Sequence, residues 1–188
     1  MGSLHATINI GLDACCDHTQ VIADDEFHEQ MSDLCDSATA LLFGRTTYEL
    51  LHSYWPEIAS CGNGTPAEVR FARVLDTKPK LVVSKNEPAS GWNATRTDGS
   101  SDSIRALKHD TNGTLLLLAS PTLARSLVQL GLVDEYHIAV SPMVAGHGPT
   151  FLTGLQRPIS MSLLGLTRLQ SGVVIHRYRL VAPRSAAP

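Results

Sequence analysis

Residues 114–135, TLLLLASPTLARSLVQLGLVDE, decide the fold. Leu115 to Leu118 form a run short enough for one strand and apolar enough to be buried on both faces, as in a parallel sheet. Ala119-Ser120 breaks the run. Ser120 is a good N-cap, and Pro121 suits the first helical position because the N–H it lacks would have no intrahelical partner there. Leu123, Leu127 and Leu130 recur at i, i+4, i+7 with Ala124 and Val128 beside them, so a helix with one apolar face follows, and Gly131 stops it. A strand, a tight turn and a helix in this order place free backbone N–H groups and the positive helix end at the carboxyl edge of a sheet. Ligand crevices of open sheets lie along that edge, and such a helix end suits an anion. The alternative is a purely structural strand–helix junction, since fold alone does not imply function.

Moving outward, the 188 residues suit one domain, expected to span 1–182, with a frayed tail at 183–188. The net charge of -3 argues against nucleic-acid or anionic-membrane binding as the main activity. No apolar run reaches the length of a membrane span, and MGSLHATINI lacks the pattern of a secretory signal, so the expected compartment is the cytoplasm. Cys15, Cys16, Cys35 and Cys61 are then expected as reduced thiols. Cys15-Cys16-Asp17-His18 gathers metal-ligand types. It lacks Cys-x2-4-Cys spacing and a second ligand pair, so no metal site is expected.

Ala6 to Leu12 reads as the first strand, followed by a polar loop. Asp24-Asp25 caps a helix that carries Phe27, Met31 and Leu34 at i, i+4, i+7. Ala40 to Phe43 is a second buried strand, and Gly44-Arg45-Thr46-Thr47-Tyr48-Glu49 opens another helix. Thr46 and Glu49 are spaced as a capping box, and Pro56 ends the helix. Arg45 offers a planar fork of donors beside a helix end, a combination that suits phosphate; equally, Arg45 pairs with a surface acid and the threonines only cap. Thr65-Pro66-Ala67-Glu68 is a further capping box, Lys80 to Ser84 a third strand, and 86–103 a loop with room for a short edge strand. Glu135 to Val140 alternates as a strand. Met161–Leu169 and Val173–Val181 flank Gln170-Ser171-Gly172 as an antiparallel hairpin. The pattern is α/β, a mainly parallel sheet covered by helices and closed by that hairpin.

The pieces GLD (11–13), IA (22–23), LLFGRTTYELL (41–51), YWP (54–56), KLVVSK (80–85), LLLLASPTLARSLVQLGLVDEY (115–136) and SPMVAGHGPTFLTG (141–154) occur in a distinctive order. In this the chain resembles the dihydrofolate-reductase-like superfamily, and within it the stand-alone relatives of the C-terminal reductase domain of bifunctional riboflavin biosynthesis proteins. The resemblance implies a three-layer fold whose sheet of about eight strands binds NADPH across its carboxyl edge, commonly in a homodimer. It places Gly44, Arg45, Thr46 and Thr47 at the pyrophosphate and 2′-phosphate, and Ser84 and Lys85 near the adenosine. Ala119 and Ser120, with Pro121, Thr122 and Leu123, meet the pyrophosphate. Leu12, Asp13, Ile22 and Ala23 line the nicotinamide side, with Asp13 the catalytic candidate.

Two departures stand out. Ala119-Ser120 occupies the turn where many relatives have Gly-Gly or Gly-Ser, and a methyl there narrows the backbone approach to phosphate. Asp13-Ala14-Cys15-Cys16 replaces the usual Asp-Gly and its sequel. The sequence holds no His-x-Glu with a downstream Pro-Cys-x-x-Cys, the zinc deaminase signature. The expected activity is NADPH-dependent reduction of a small heterocyclic or carbonyl-containing molecule; the alternative is a non-catalytic NADP-binding or dimerising scaffold.

Overall fold

A computed structural model describes residues 2–86 and 91–181; the tail expected at 183–188 lies outside them. Eight strands form one sheet: β1 (Ser3–Ile10), β2 (Ala40–Gly44), β3 (Lys80–Val83), β4 (Ala94–Thr97), β5 (Thr114–Leu118), β6 (Glu135–Val140), β7 (Ser160–Arg168) and β8 (Val174–Val181). Their order is β4-β3-β2-β5-β1-β6-β8-β7; β8 pairs antiparallel with both β6 and β7, and every other pairing is parallel. The hairpin therefore joins the sheet through its second strand, which leaves β7 at the edge.

β5 carries the run Leu115–Leu118 between β1 and β2. Leu115 and Leu117 enter one core cluster and Leu116 and Leu118 the other, so every side chain of the run is buried. That explains an apolar run without alternation. On one face the sheet packs against α1 (Asp25–Ser37), α2 (Arg45–His52), α3 (Trp55–Cys61) and α4 (Pro66–Thr77). On the other lie α5 (Ser101–Asp110) and α6 (Pro121–Gln129), which bury Ile104, Ala124, Leu127 and Val128. This is the three-layer α/β arrangement of dihydrofolate-reductase-like proteins. No helix among the described residues is long and apolar enough to cross a membrane.

Local signals held where they were self-contained. The Asp24 carboxylate accepts the Phe27 N–H at 2.9 Å and caps α1. Thr65 and Glu68 form the expected reciprocal box on α4. The end of α6 is a Schellman turn. Gly131 sits at φ +65, its N–H bonds Val128 O at 2.9 Å, and Leu132 N–H bonds Leu127 O at 3.0 Å.

Other expectations change. The capping box at Thr46 does not form: α2 begins two residues earlier than that box requires, Gly44 is its N-cap without a side-chain bond, and Glu49 turns instead to Arg45 at 2.7 Å. Pro56 does not end a helix; it lies in the first turn of α3, where its missing N–H costs nothing. The first strand runs over 3–10 rather than 6–12, because its end is set by pairing with β5 and β6.

Candidate functional site

All six parallel strands end on one edge, and β1 lies between β5 and β6, so the chain reverses its direction of travel across the sheet there. Ligand crevices of open sheets lie at such a reversal. The carboxyl ends of β2, β5 and β1 are neighbours on this edge and bring Gly44–Thr47, Ala119–Leu123 and Leu12–Asp13 to it, with Ser84 and Lys85 at the end of β3.

The β5–α6 turn is strained. Ala119 and Ser120 adopt φ +50 and +58, left-handed values that suit glycine. The backbone thus turns as a Gly-Gly pair would, despite the two side chains. Ser120 is the N-cap of α6 in position but makes no side-chain cap bond. Its buried hydroxyl instead donates to Leu118 O (3.1 Å) and accepts from Gly44 N–H (2.9 Å). That bond holds the starts of α2 and α6 side by side. The first backbone bond of α6 runs from Ala124 N–H to Ser120 O at 2.9 Å, so the Thr122 and Leu123 N–H groups precede the helical ladder. Gly44 leaves ordinary space: a Cβ there would lie 3.7 Å from Ser120 and 3.8 Å from Leu123.

Arg45 and Thr46 are exposed, Thr47 is half-buried, and the Arg45 guanidinium is held by Glu49. Ser84 is buried and its hydroxyl accepts the Asn86 N–H at 3.2 Å, while Lys85 is exposed.

On the opposite side of the edge, Gly11 permits a close chain crossing, since a Cβ there would approach Met143 Sδ to 2.8 Å. Leu12 N–H bonds Met143 O at 2.8 Å and leaves an exposed side chain. Asp13 accepts Gly146 N–H (2.8 Å) and Cys15 N–H (3.3 Å). The Gly146 N–H first, then that of Cys15, hold its carboxyl below the usual carboxylate range, so Asp13 is ionised at neutral pH. Ile22 is tied in by its N–H to Ser141 Oγ (3.0 Å) and its carbonyl to Asn9 Nδ2 (2.7 Å), with exposed Ala23 following. Asn9 and Ser141 were not singled out in the sequence; their alternation on β1 and at the end of β6 was the only available signal.

Cys15-Cys16-Asp17-His18 does not converge. The Cys15 thiol donates to His147 O and the Cys16 thiol to Pro149 O, at 3.1 and 3.2 Å, and these bonds pin loop 14–16 to loop 147–151. Two grooves of about 580 and 1160 Å³ lie elsewhere, along α4 and beside the end of α6. The first is lined by the start of α4 at Pro66 with Arg70 and Arg73, but neither groove brings two helix starts together, so the carboxyl edge remains the better candidate.

Fold and edge together define a mainly parallel α/β protein of dihydrofolate-reductase-like architecture. More narrowly, the chain belongs to the RibD C-terminal domain family, whose profile matches residues 11–175. It is 24% identical over 145 residues to the uncharacterized protein YyaP of Bacillus subtilis (strain 168), covering 76% of this chain and 74% of that one. A provisionally named riboflavin biosynthesis protein from Shewanella sp. PV-4 shares its fold with a TM-score of 0.69 at 15% identity, over 96% of this chain and 99% of that one. A pyrimidine reductase-like protein from Corynebacterium diphtheriae NCTC gives 0.62 at 13% identity, over 96% and 92%.

Proposed function

We propose that this chain, a member of a reductase-type family, is an NADPH-dependent reductase acting in the cytoplasm on a small heterocyclic or carbonyl-containing molecule. The observation that carries the reading is the Gly44–Ser120 bond, which sets two helix N-termini beside each other at the carboxyl edge. The residues fit the cofactor. Thr122 and Leu123 offer N–H groups to the pyrophosphate, and the turn at Ala119 and Ser120 already has glycine-like geometry, with Pro121 adding no competing donor. Gly44, Arg45, Thr46 and Thr47 take the pyrophosphate and 2′-phosphate, and Ser84 and Lys85 the adenosine. Leu12, Ile22 and Ala23 border the nicotinamide with Asp13. NADPH supplies a hydride when bound.

Asp13 is ionised, which favours orienting a substrate N–H over donating a proton; the proton then comes from water. One observation favours the second reading, a non-catalytic NADP-binding or dimerising scaffold: the Gly44 N–H and Arg45 are already engaged, by Ser120 and Glu49.

Calorimetric titration with NADPH and, in parallel, NADH tests both readings. Micromolar NADPH binding with much weaker NADH binding, followed by oxidation of NADPH with a heterocyclic or carbonyl acceptor, is the expected result. Tight binding without turnover of any acceptor moves the reading to the scaffold, and no binding of either nucleotide removes the cofactor site. The chain is also proposed to pair, since Leu163 and Leu166 of edge strand β7 are 53% and 61% exposed. Sedimentation should give a dimer, and a monomer would refute the pairing.

A further inference from the structure

His5, Glu135 and His137 form the one group of three metal-ligand side chains among the described residues whose donor atoms all lie within 4.8 Å of one another. Strand pairing creates the group. β1 and β6 run parallel with His5 opposite Glu135, and His137 lies two residues on, so all three side chains project from one face of the sheet. The His5 and His137 rings stack with centroids 5.8 Å apart. His137 Nε2 is buried and faces the Glu135 carboxylate, 3.1 Å from its Oε1. A buried imidazole nitrogen beside a carboxylate and a second imidazole is the donor set of a transition-metal site.

From this we propose that His5, Glu135 and His137 bind one divalent transition-metal ion, for which zinc is the natural probe. Each imidazole offers one ring nitrogen, and the carboxylate one oxygen, to an ion placed between them. Arg177 donates twice to Glu135 Oε1, from Nε at 3.0 Å and Nη2 at 2.9 Å, as an outer partner that orients a ligating carboxylate. Arg177 also offsets the carboxylate charge, so attraction by net charge is weak and the site depends on imidazole donation. That selects zinc or a similar ion over magnesium or calcium, which require several oxygen ligands.

Around a tetrahedral ion with bonds near 2.1 Å, donors sit about 3.4 Å apart; His137 Nε2 and Glu135 Oε1 are already 3.1 Å apart, so His5 closes on them from no more than 4.8 Å. Three protein ligands leave a fourth position open to water. The site lies five residues along β1 and β6 from the Ile10–Val140 pair at the crevice, about 17 Å at strand rise. Its role is to clamp β1 to β6.

The test is zinc titration of the full chelator-stripped chain, with cobalt absorption as a second readout. One zinc per chain is expected, with neither magnesium nor calcium competing. His5→Gln and His137→Gln should each weaken zinc by more than the roughly 10–100-fold that follows loss of an outer partner, with circular dichroism unchanged. Cys16→Ser, His18→Gln and Cys61→Ser should leave binding intact. Should His137→Gln fail to fold, His5→Gln at a half-buried position and X-ray absorption of the zinc-loaded wild type decide. Nitrogen and oxygen neighbours alone support the site, whereas a sulfur neighbour near 2.3 Å overturns it. Absence of stoichiometric zinc, or binding that survives both histidine substitutions, also overturns it.

Discussion

The Ser120 hydroxyl accepts the Gly44 N–H at 2.9 Å, across the boundary between β5 and β2. These residues are the N-caps of α6 and α2, so one side chain aligns both helix starts. A conventional cap would have bonded within its own helix. Here the left-handed turn at Ser120 aims the hydroxyl away from α6 and towards the neighbouring strand end.

Ser120→Ala should destabilise the fold by about 1–3 kcal/mol, because the Gly44 N–H loses its partner in a confined position. The same change should weaken NADPH, since the two helix starts lose their common anchor. Urea denaturation and calorimetry read the two effects. Unchanged stability would mean that water satisfies Gly44 equally well.

Ala119→Gly should stabilise the chain by about 1 kcal/mol, the net of relief from a left-handed alanine and the greater backbone entropy of glycine. Removing the methyl also opens the approach to the pyrophosphate, so NADPH should bind more tightly. A destabilised variant would show that the turn is relaxed as it stands.

Arg45→Ala should weaken NADPH by about 1–3 kcal/mol, the loss of a charged hydrogen-bond partner. Glu49→Gln should change the affinity in the opposite sense by at most about 0.5 kcal/mol, because it frees Arg45 from an exposed ion pair of small worth. Parallel titrations with NADPH and NADH separate the 2′-phosphate contribution. Equal losses for the two nucleotides would move Arg45 to the pyrophosphate.

Stability should fall on mild acidification. Burial lowers the His137 pKa from 6.5 to about 4. Between those values the unfolded chain binds a proton that the native chain refuses, so stability is full above pH 6.5 and is lost progressively towards pH 4. Burial lowers His5 and His28 in the same sense. Between pH 7 and pH 5 the loss assigned to His137 is about 2 kcal/mol. Urea midpoints in chelator at pH 7 and pH 5 measure the loss, and His137→Gln should flatten it. An equal pH dependence in wild type and variant would assign the effect elsewhere.

How far the sequence reached can be judged element by element. Leu115–Leu118 identified the central strand because a run buried on both faces needs no partner to be recognised. Thr65 and Glu68 predicted their own box, a local interaction closed within three residues. Thr46 and Glu49 have the same spacing, yet Glu49 found a stronger partner in Arg45 one turn away. Pro56 read equally as a stop or a start, and the packing of Trp55 against Phe71, with centroids 4.9 Å apart, accompanies the start.

Sequence by itself determined the class of fold, most of the order of strands and helices along the chain, and the two strand–helix junctions at Gly44 and Ser120. Those follow from hydrophobic periodicity and turn chemistry, which act over a few neighbouring residues. Tertiary structure alone decided that Ser120 serves Gly44 rather than α6, that Asp13 is held ionised by Gly146, and that His5 meets Glu135 and His137. Each joins residues from 76 to 133 positions apart in the chain. No local propensity encodes such pairs; strand order and register bring them together, and both are set by burial of the whole sheet.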